Sequence, residues 1–233
     1  LASLWGWDYL RSQGLAGKLL VVAPLSTLER TWADEIFNAL PHVQVAVLHG
    51  TADRRRKLLA DKSFDAYLIN HDGLKVLQKE LMASTQIDTV IVDELATFRN
   101  ASTGRWKALN AVLAGRRHVW GLTGTPTPNE PTDAWAQVKL LRPEAVPKYY
   151  GHFRDRVMKQ VGPYRWVARE GANDLVNDLM KPSIRFSRDE CVDLPPCVFV
   201  PRTATLTPDQ TLAFKDMMAQ MAVEAQQHQI IAV

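Results

Sequence analysis

Apolar residues fall in short blocks along this chain, and polar stretches of helix length separate them. KLLVVA (18–23), VQVAVLH (43–49), DAYLIN (65–70), TVIVDE (89–94) and HVWGLTG (118–124) have the length of strands. The stretches near 26–39, 52–61, 72–82, 103–114 and 131–140 are amphipathic at helical spacing. Short strands that are apolar on both faces and alternate with helices predict an α/β fold, an open parallel sheet with helices on both faces. Right-handed crossovers then bring every strand's C-terminal end to one edge, where such sheets bind ligands. The opening LASLWGWDYLRSQG places Leu4, Trp7, Leu10 and Arg11 at helical spacing, with Gly14 and Gly17 as stop signals and no cap before it. A last helix is expected from Thr207-Pro208-Asp209 and meets no stop signal. Both ends read as cuts in a longer chain.

The pattern changes after residue 140. From Lys139 to Arg169 there are eight Lys/Arg against two acids, Glu144 and Asp155, with Tyr149, Tyr150, Phe153, Tyr164 and Trp166 interleaved. Pro182, Pro195, Pro196 and Pro201 then mark extended chain. The expected organisation is a lobe over 1–140, a basic aromatic helical extension over 141–182, a Pro-rich connector over 183–206 and a helix over 207–233.

Composition narrows the class only a little. With 46% hydrophobic and 23% charged residues the chain is globular, which excludes disorder, collagen and coiled coil for the whole. No apolar run approaches the roughly 18 residues that span a bilayer, so no membrane partner is expected. Two cysteines, Cys191 and Cys197, are too few for a disulfide framework or a four-ligand zinc site, which points to a reducing cytoplasm, or a nucleus in a eukaryote. The six histidines form no HExxH pattern, and there is no GxSxG elbow. Trp32, Trp106, Trp120 and Trp135 sit at core spacing and read as packing.

Three segments can carry chemistry. In TVIVDELATFRN a buried strand delivers Asp93 and Glu94 to the ligand-binding edge. Such a pair suits a nucleotide–magnesium site, one carboxylate holding Mg²⁺ through water and the other orienting an attacking water; it equally suits a plain strand end. In GLTGTPTPNEP, Thr123 and Thr125 flank Gly124, and the loop can offer hydroxyls and amides to a phosphate or serve as a simple turn. In VVAPLSTLERTWADEI, Pro24 ends a strand, and Ser26 or Thr27 can cap the next helix, whose free amides favour a phosphate oxygen. The basic stretch can neutralise a nucleic-acid backbone through Arg154 and Arg156, or be a solvated surface with Tyr149, Phe153 and Trp166 packed inward.

In this order, LVVAPLSTLERTWADEI, YLINHDGL, VIVDELATFRN and GLTGTPTPN, followed by DAWAQVKLLRPEAV, the FRDRV run, VDLPP and LTPDQ, resemble the Swi/Snf family of superfamily-two helicases and DNA translocases. The form DELATFRN is closer to its compact phage and bacterial branch. The resemblance implies the first of two RecA-like lobes of a DNA-stimulated ATPase, with ATP and Mg²⁺ as cofactors. It further implies double-stranded DNA and a second RecA-like lobe as partners, in a monomer. Asp93 would then coordinate Mg²⁺ through water and Glu94 activate the hydrolytic water. Thr123, Gly124 and Thr125 would line the nucleotide site and couple it to DNA. Pro24, Leu25, Ser26 and Thr27 would lie along one strand's phosphates.

Two departures stand out. Many relatives end the acid motif in His, whereas Leu95 and Ala96 follow the acids here, so a His-mediated link to GLTGTPTPN cannot operate. There is also no G-x-x-x-x-G-K-[ST]; the sole Gly-Lys pair, Gly17-Lys18, runs into a strand. In the family that motif lies just ahead of the opening helix, so it is expected upstream of Leu1. The rivals are a DNA-binding relative without a P-loop, a restriction-enzyme motor subunit, and a Rossmann oxidoreductase, for which no G-x-G-x-x-G is present.

Overall fold

The computed structural model describes residues 1–186 and 199–227. Leu1–Ile184 form one compact unit. Helix α1 (Ala2–Ser12) leads into five strands, β1 (Lys18–Ala23), β2 (Val45–Val47), β3 (Ala66–Asn70), β4 (Ile87–Val92) and β5 (His118–Gly121). They form one sheet in the order β2-β3-β1-β4-β5, and every pairing is parallel.

The strands are buried on both sides because they alternate apolar residues toward two cores. Leu20, Val22, Tyr67, Ile69, Val90 and Val92 face one core, and Leu19, Val21, Ala23, Ala66, Leu68 and Ile91 face the other. Leu4, Trp7, Trp32 and Ile36 cover the second face. The first is covered by α4 (Gly73–Val76), α5 (Gln78–Ala83), α6 (Gly104–Leu113) and α7 (Ala134–Leu141), with Leu58 and Leu59 of α3 (Ala52–Ala60) at its margin. Both faces carry helices, as the apolar runs require.

The structure departs from the sequence pattern in detail. The helix expected over 26–39 is three pieces, a 3₁₀ turn (Leu25–Thr27), a π-helical stretch (Leu28–Ala33) and α2 (Asp34–Ala39). Neither Ser26 nor Thr27 caps it, since the Thr27 hydroxyl donates back to the carbonyl of Pro24. The helix over 72–82 breaks at Leu77, whose fully buried side chain is worth more in the core than an unbroken helix. The strand over 118–124 stops at Gly121.

The basic stretch is not helical throughout. After α8 (Tyr150–Val157) it makes an antiparallel hairpin of β6 (Met158–Gln160) and β7 (Trp166–Ala168), then α9 (Ala172–Met180). Val146, Phe153, Val157, Met158, Ala172 and Val176 join the first core, so these elements pack on the lobe. Residues 199–206 form no helix or strand, and Cys191 and Cys197 lie outside the described residues. In the second unit, the helix Pro208–Gln227 opens with a reciprocal cap. The Thr207 amide donates to Gln210 Oε1 at 3.0 Å, and the Gln210 amide donates to Thr207 Oγ1 at 3.3 Å.

One side chain ties the helical layer to the sheet. Arg116 donates to the carbonyls of Val112 (2.8 Å) and Ser84 (2.7 Å), and also to those of Ile87 and Leu81. It thereby satisfies the ends of α5 and α6 and the start of β4 together. Arg116→Ala should cost about 2–4 kcal/mol in urea unfolding, and Arg116→Lys should recover less than half of it. A lysine that restored full stability would show that charge, not the fork of donors, is what matters.

Candidate nucleotide-binding edge

The strand order places the crevice. From β1 the chain crosses outward to β2 and returns through β3, and β4 then lies on the opposite side of β1. The direction of winding reverses between β1 and β4, and in open parallel sheets ligands bind outside the strand ends at such a reversal. Pro24–Thr27 leave the sheet from one of these strands and Asp93–Glu94 from the other. Gly17-Lys18 lies at the opposite edge, where the Lys18 ammonium donates to the carbonyls of Lys62 and Phe64.

Asp93 is held at four atoms. Its amide donates to Val22 O at 2.8 Å, continuing the β1–β4 ladder. Its carbonyl lies 3.0 Å from His71 Nε2, which must carry the proton because a carbonyl oxygen can only accept. Oδ1 accepts from the Glu94 amide at 3.0 Å, and Oδ2 accepts from the indole Nε1–H of Trp32 at 2.9 Å. His71 is buried, edge-on to Phe98, and burial pushes its imidazole below the usual histidine range, keeping it neutral.

Glu94 is the opposite case. Its side chain is exposed and accepts no hydrogen bond among the described residues, and its backbone is left-handed at φ 52°. A non-glycine residue in that region costs of order 1–3 kcal/mol and collects at functional sites. The strained turn separates two adjacent carboxylates, one fixed and one free.

The loop after β5 is locked to the acid pair by backbone. The Leu122 amide donates to Val92 O at 2.8 Å, and the Leu95 amide donates to Leu122 O at 2.9 Å. Leu95 is buried where Gly121 leaves room, since a Cβ on Gly121 would lie 2.5 Å from Leu95 Cδ2. This chain therefore joins the two segments without a histidine. Thr123 Oγ1 is buried with no hydrogen-bond partner, whereas Gly124 and Thr125 are exposed, with open space beside Gly124. Buried Gln137 steadies the loop by donating to the carbonyls of Pro126 and Asp133.

The remaining candidates divide. Leu25 and Ser26 are exposed at the crevice, and Pro24 and Thr27 are partly buried. Arg154 is engaged within the fold, 3.9 Å over the Trp166 ring and paired with Asp155. Arg156 is exposed and has no ion pair among the described residues. Phe153 packs inward and Tyr149 does not. Sequence reading missed Trp32, His71 and Gln137. A buried indole needs an acceptor for its N–H, and a polar residue just past a buried parallel strand stands at the ligand edge, so two of the three left a trace.

With this geometry in view, the class is a RecA-like open α/β lobe with an acid pair at its strand-order reversal. The chain matches the SNF2-related domain over residues 4–232, and it belongs to that family. It is 32% identical over 150 residues to putative protein p41 of Acyrthosiphon pisum secondary endosymbiont phage 1, covering 61% of this chain and 33% of that protein. It is 29% identical over 136 residues to the SWI/SNF-related matrix-associated actin-dependent regulator of chromatin subfamily A-like protein 1 of Xenopus tropicalis, covering 57% of this chain and 13% of that protein. The fold matches the Sulfolobus solfataricus SWI2/SNF2 ATPase core solved in complex with dsDNA, with TM-score 0.63 and 22% identity over 95% of this chain and 45% of that one. The chain thus spans a third or less of these two relatives' length. No helix among the described residues is long and apolar enough to cross a membrane.

The contact between Leu95 and Gly121 is open to a double-mutant cycle. Gly121→Ala alone should cost about 1–3 kcal/mol by overpacking and Leu95→Ala alone about 2–5 kcal/mol by leaving a cavity. The double variant should be more stable than their sum by roughly 1 kcal/mol, read by denaturant midpoints. Strict additivity would mean the two residues do not press on each other.

Proposed function

We propose that this chain is the first motor lobe of an ATP-dependent DNA translocase or helicase, a DNA-dependent ATPase. The observation that carries the reading is the contrast at the crevice: Asp93 immobilised at four atoms beside an exposed, unpaired Glu94. Membership of the SNF2-related family supports it, as does the likeness in fold to a core solved on duplex DNA.

The residues present fit a nucleotide and Mg²⁺. Asp93 and Glu94 stand together at the edge, and a magnesium ion held mainly by phosphates and waters needs one such protein carboxylate. Asp93 keeps outward lone pairs for such a water, since each oxygen has a single protein partner. A magnesium ion held there would supply neutralisation of the phosphate oxygens' charge. Glu94, with no partner to release, accepts a proton from the attacking water at its carboxylate. The unpaired Thr123 hydroxyl and the exposed amides of Gly124 and Thr125 offer donors to the nucleotide. Leu25 and Ser26, exposed beside Pro24 and Thr27, face one strand's phosphates. These 233 residues contain no phosphate-cradling GxxxxGK[ST], and by themselves they should hydrolyse ATP negligibly.

In a chain carrying both lobes, Glu94→Gln should lower turnover about 10²–10⁴-fold and leave nucleotide affinity within a few-fold. Unchanged turnover would remove Glu94 as the base. If the intact protein binds DNA but never hydrolyses ATP, a binding lobe without a motor is the correct reading.

The exposed cations of the hairpin region, Arg156, Lys159 and Arg165, are the better candidates for further phosphate contacts, because Arg154 is already engaged. Replacing all three with Gln should flatten the log–log salt dependence of duplex binding by about 0.9 for each phosphate that is no longer neutralised. An identical slope would leave that face as solvated surface.

A further inference from the structure

We propose that Trp32 is a positioning residue for the acid pair, and that its indole N–H ties the Asp93 carboxylate to whatever engages the Pro24–Thr27 segment. This rests on the reading of Asp93 given above and adds to it the side chain that sets its orientation.

Of the four ties on Asp93, two hold only its backbone, through Val22 and His71. A third, from the Glu94 amide to Oδ1, is local and moves with the carboxylate. The bond from Trp32 Nε1 to Oδ2 at 2.9 Å is the one that reaches the carboxylate from a distant part of the chain. A hydrogen bond to an ionised oxygen is stronger than a neutral one and fixes direction as well as distance. Trp32 is only 6% exposed, so its N–H has little water to turn to if that bond opens. Packing alone would not call for an indole here, since a phenyl ring fills a similar apolar site among Leu28, Ile36 and the second core without a buried donor.

The backbone that carries Trp32 is the second observation. The residue sits in the six-residue π-helical stretch Leu28–Ala33, which begins directly after Thr27. π-helical turns are rare and are frequently found at functional sites. A π turn is wound wider than an α turn, so tightening or shifting it rotates each residue it carries about the helix axis. A phosphate backbone drawn onto Leu25–Thr27 pulls on the start of this stretch. The displacement arrives at the indole five residues beyond Thr27 and, through one hydrogen bond, at Oδ2. Nucleic-acid contact is thereby converted into orientation of the metal-holding carboxylate.

The test is an indole ¹H–¹⁵N spectrum of the 233-residue chain, in which the Trp32 resonance is identified among the seven tryptophans by its disappearance in Trp32→Phe, or in Trp32→Tyr if only that variant folds. Asp93→Asn should move this resonance further than that of any other tryptophan. A short DNA duplex, added without nucleotide or metal, should move it together with the backbone amides of Leu25–Thr27. In a chain carrying both lobes, Trp32→Phe should lower DNA-stimulated kcat about 10–100-fold, with KM for ATP and the salt dependence of DNA binding little changed. Amides of Leu25–Thr27 that shift while the Trp32 indole stays still would overturn this inference and leave the site standing. A duplex that moves neither would overturn the reading of the site, and this inference with it.

Discussion

The C-terminal edge of the lobe depends on the parallel pairing of β1 with β4. Its register sets Val22 opposite Val92, so the two strands end level and their chains leave the sheet side by side. The next hydrogen bond in the ladder, from the Asp93 amide to Val22 O, already belongs to the site. Because β1 and β4 are also where the winding reverses, no crossover closes over that point. A slip of one residue would exchange the faces of Asp93 and Val92, carrying the Asp93 carboxylate away from Trp32 toward the first core. Two close-packed cores of different side chains make such a slip costly, and the packing of the sheet is therefore what aims the carboxylate.

The same edge shows how two adjacent acids acquire different properties. Neither a metal nor a positively charged side chain is needed to separate Asp93 from Glu94; the backbone does it. Leaving β4, the chain turns through a left-handed conformation at Glu94, with the Asp93 carboxylate held between two donors and the Glu94 side chain exposed. The strain is sustained because the following residue is pinned twice, by its amide on Leu122 O and by its side chain against Gly121. Leu95 thus links the acid pair to the β5 loop through one backbone hydrogen bond and one packing contact. It transmits position between the acid pair and the β5 loop, but carries neither proton nor charge.

Much of this was legible in the residues themselves. Five apolar runs named the five strands, the position of DE after TVIV named the edge, and the order of segments named the family. Boundaries drifted where tertiary contacts outweighed local preference, as at Leu77, buried at the break between α4 and α5. The hairpin at Met158–Ala168 went unseen because its strands are three residues each, too short for an alternating pattern to show. Arg154 looked like a free cation because a sequence does not show that Trp166 lies beneath it. Trp32 was read as core, which is half of what it is. Its ring is core, and its one polar atom is not.

That last case bears on how a small lobe links binding to chemistry. A fully apolar residue at position 32 would pack the sheet and leave Asp93 governed by its own turn. A polar residue there would reach the carboxylate but weaken the core that holds β1 against β4. Tryptophan satisfies both demands, with a large buried surface and a single donor at its rim. It also does so from the segment that follows β1, one of only two chain segments that leave the sheet at the reversal point. Val22, His71 and Glu94 would hold Asp93 in place whether or not anything bound at Pro24–Thr27. Of the partners that touch Asp93, Trp32 alone is carried on the stretch of chain that would also have to move.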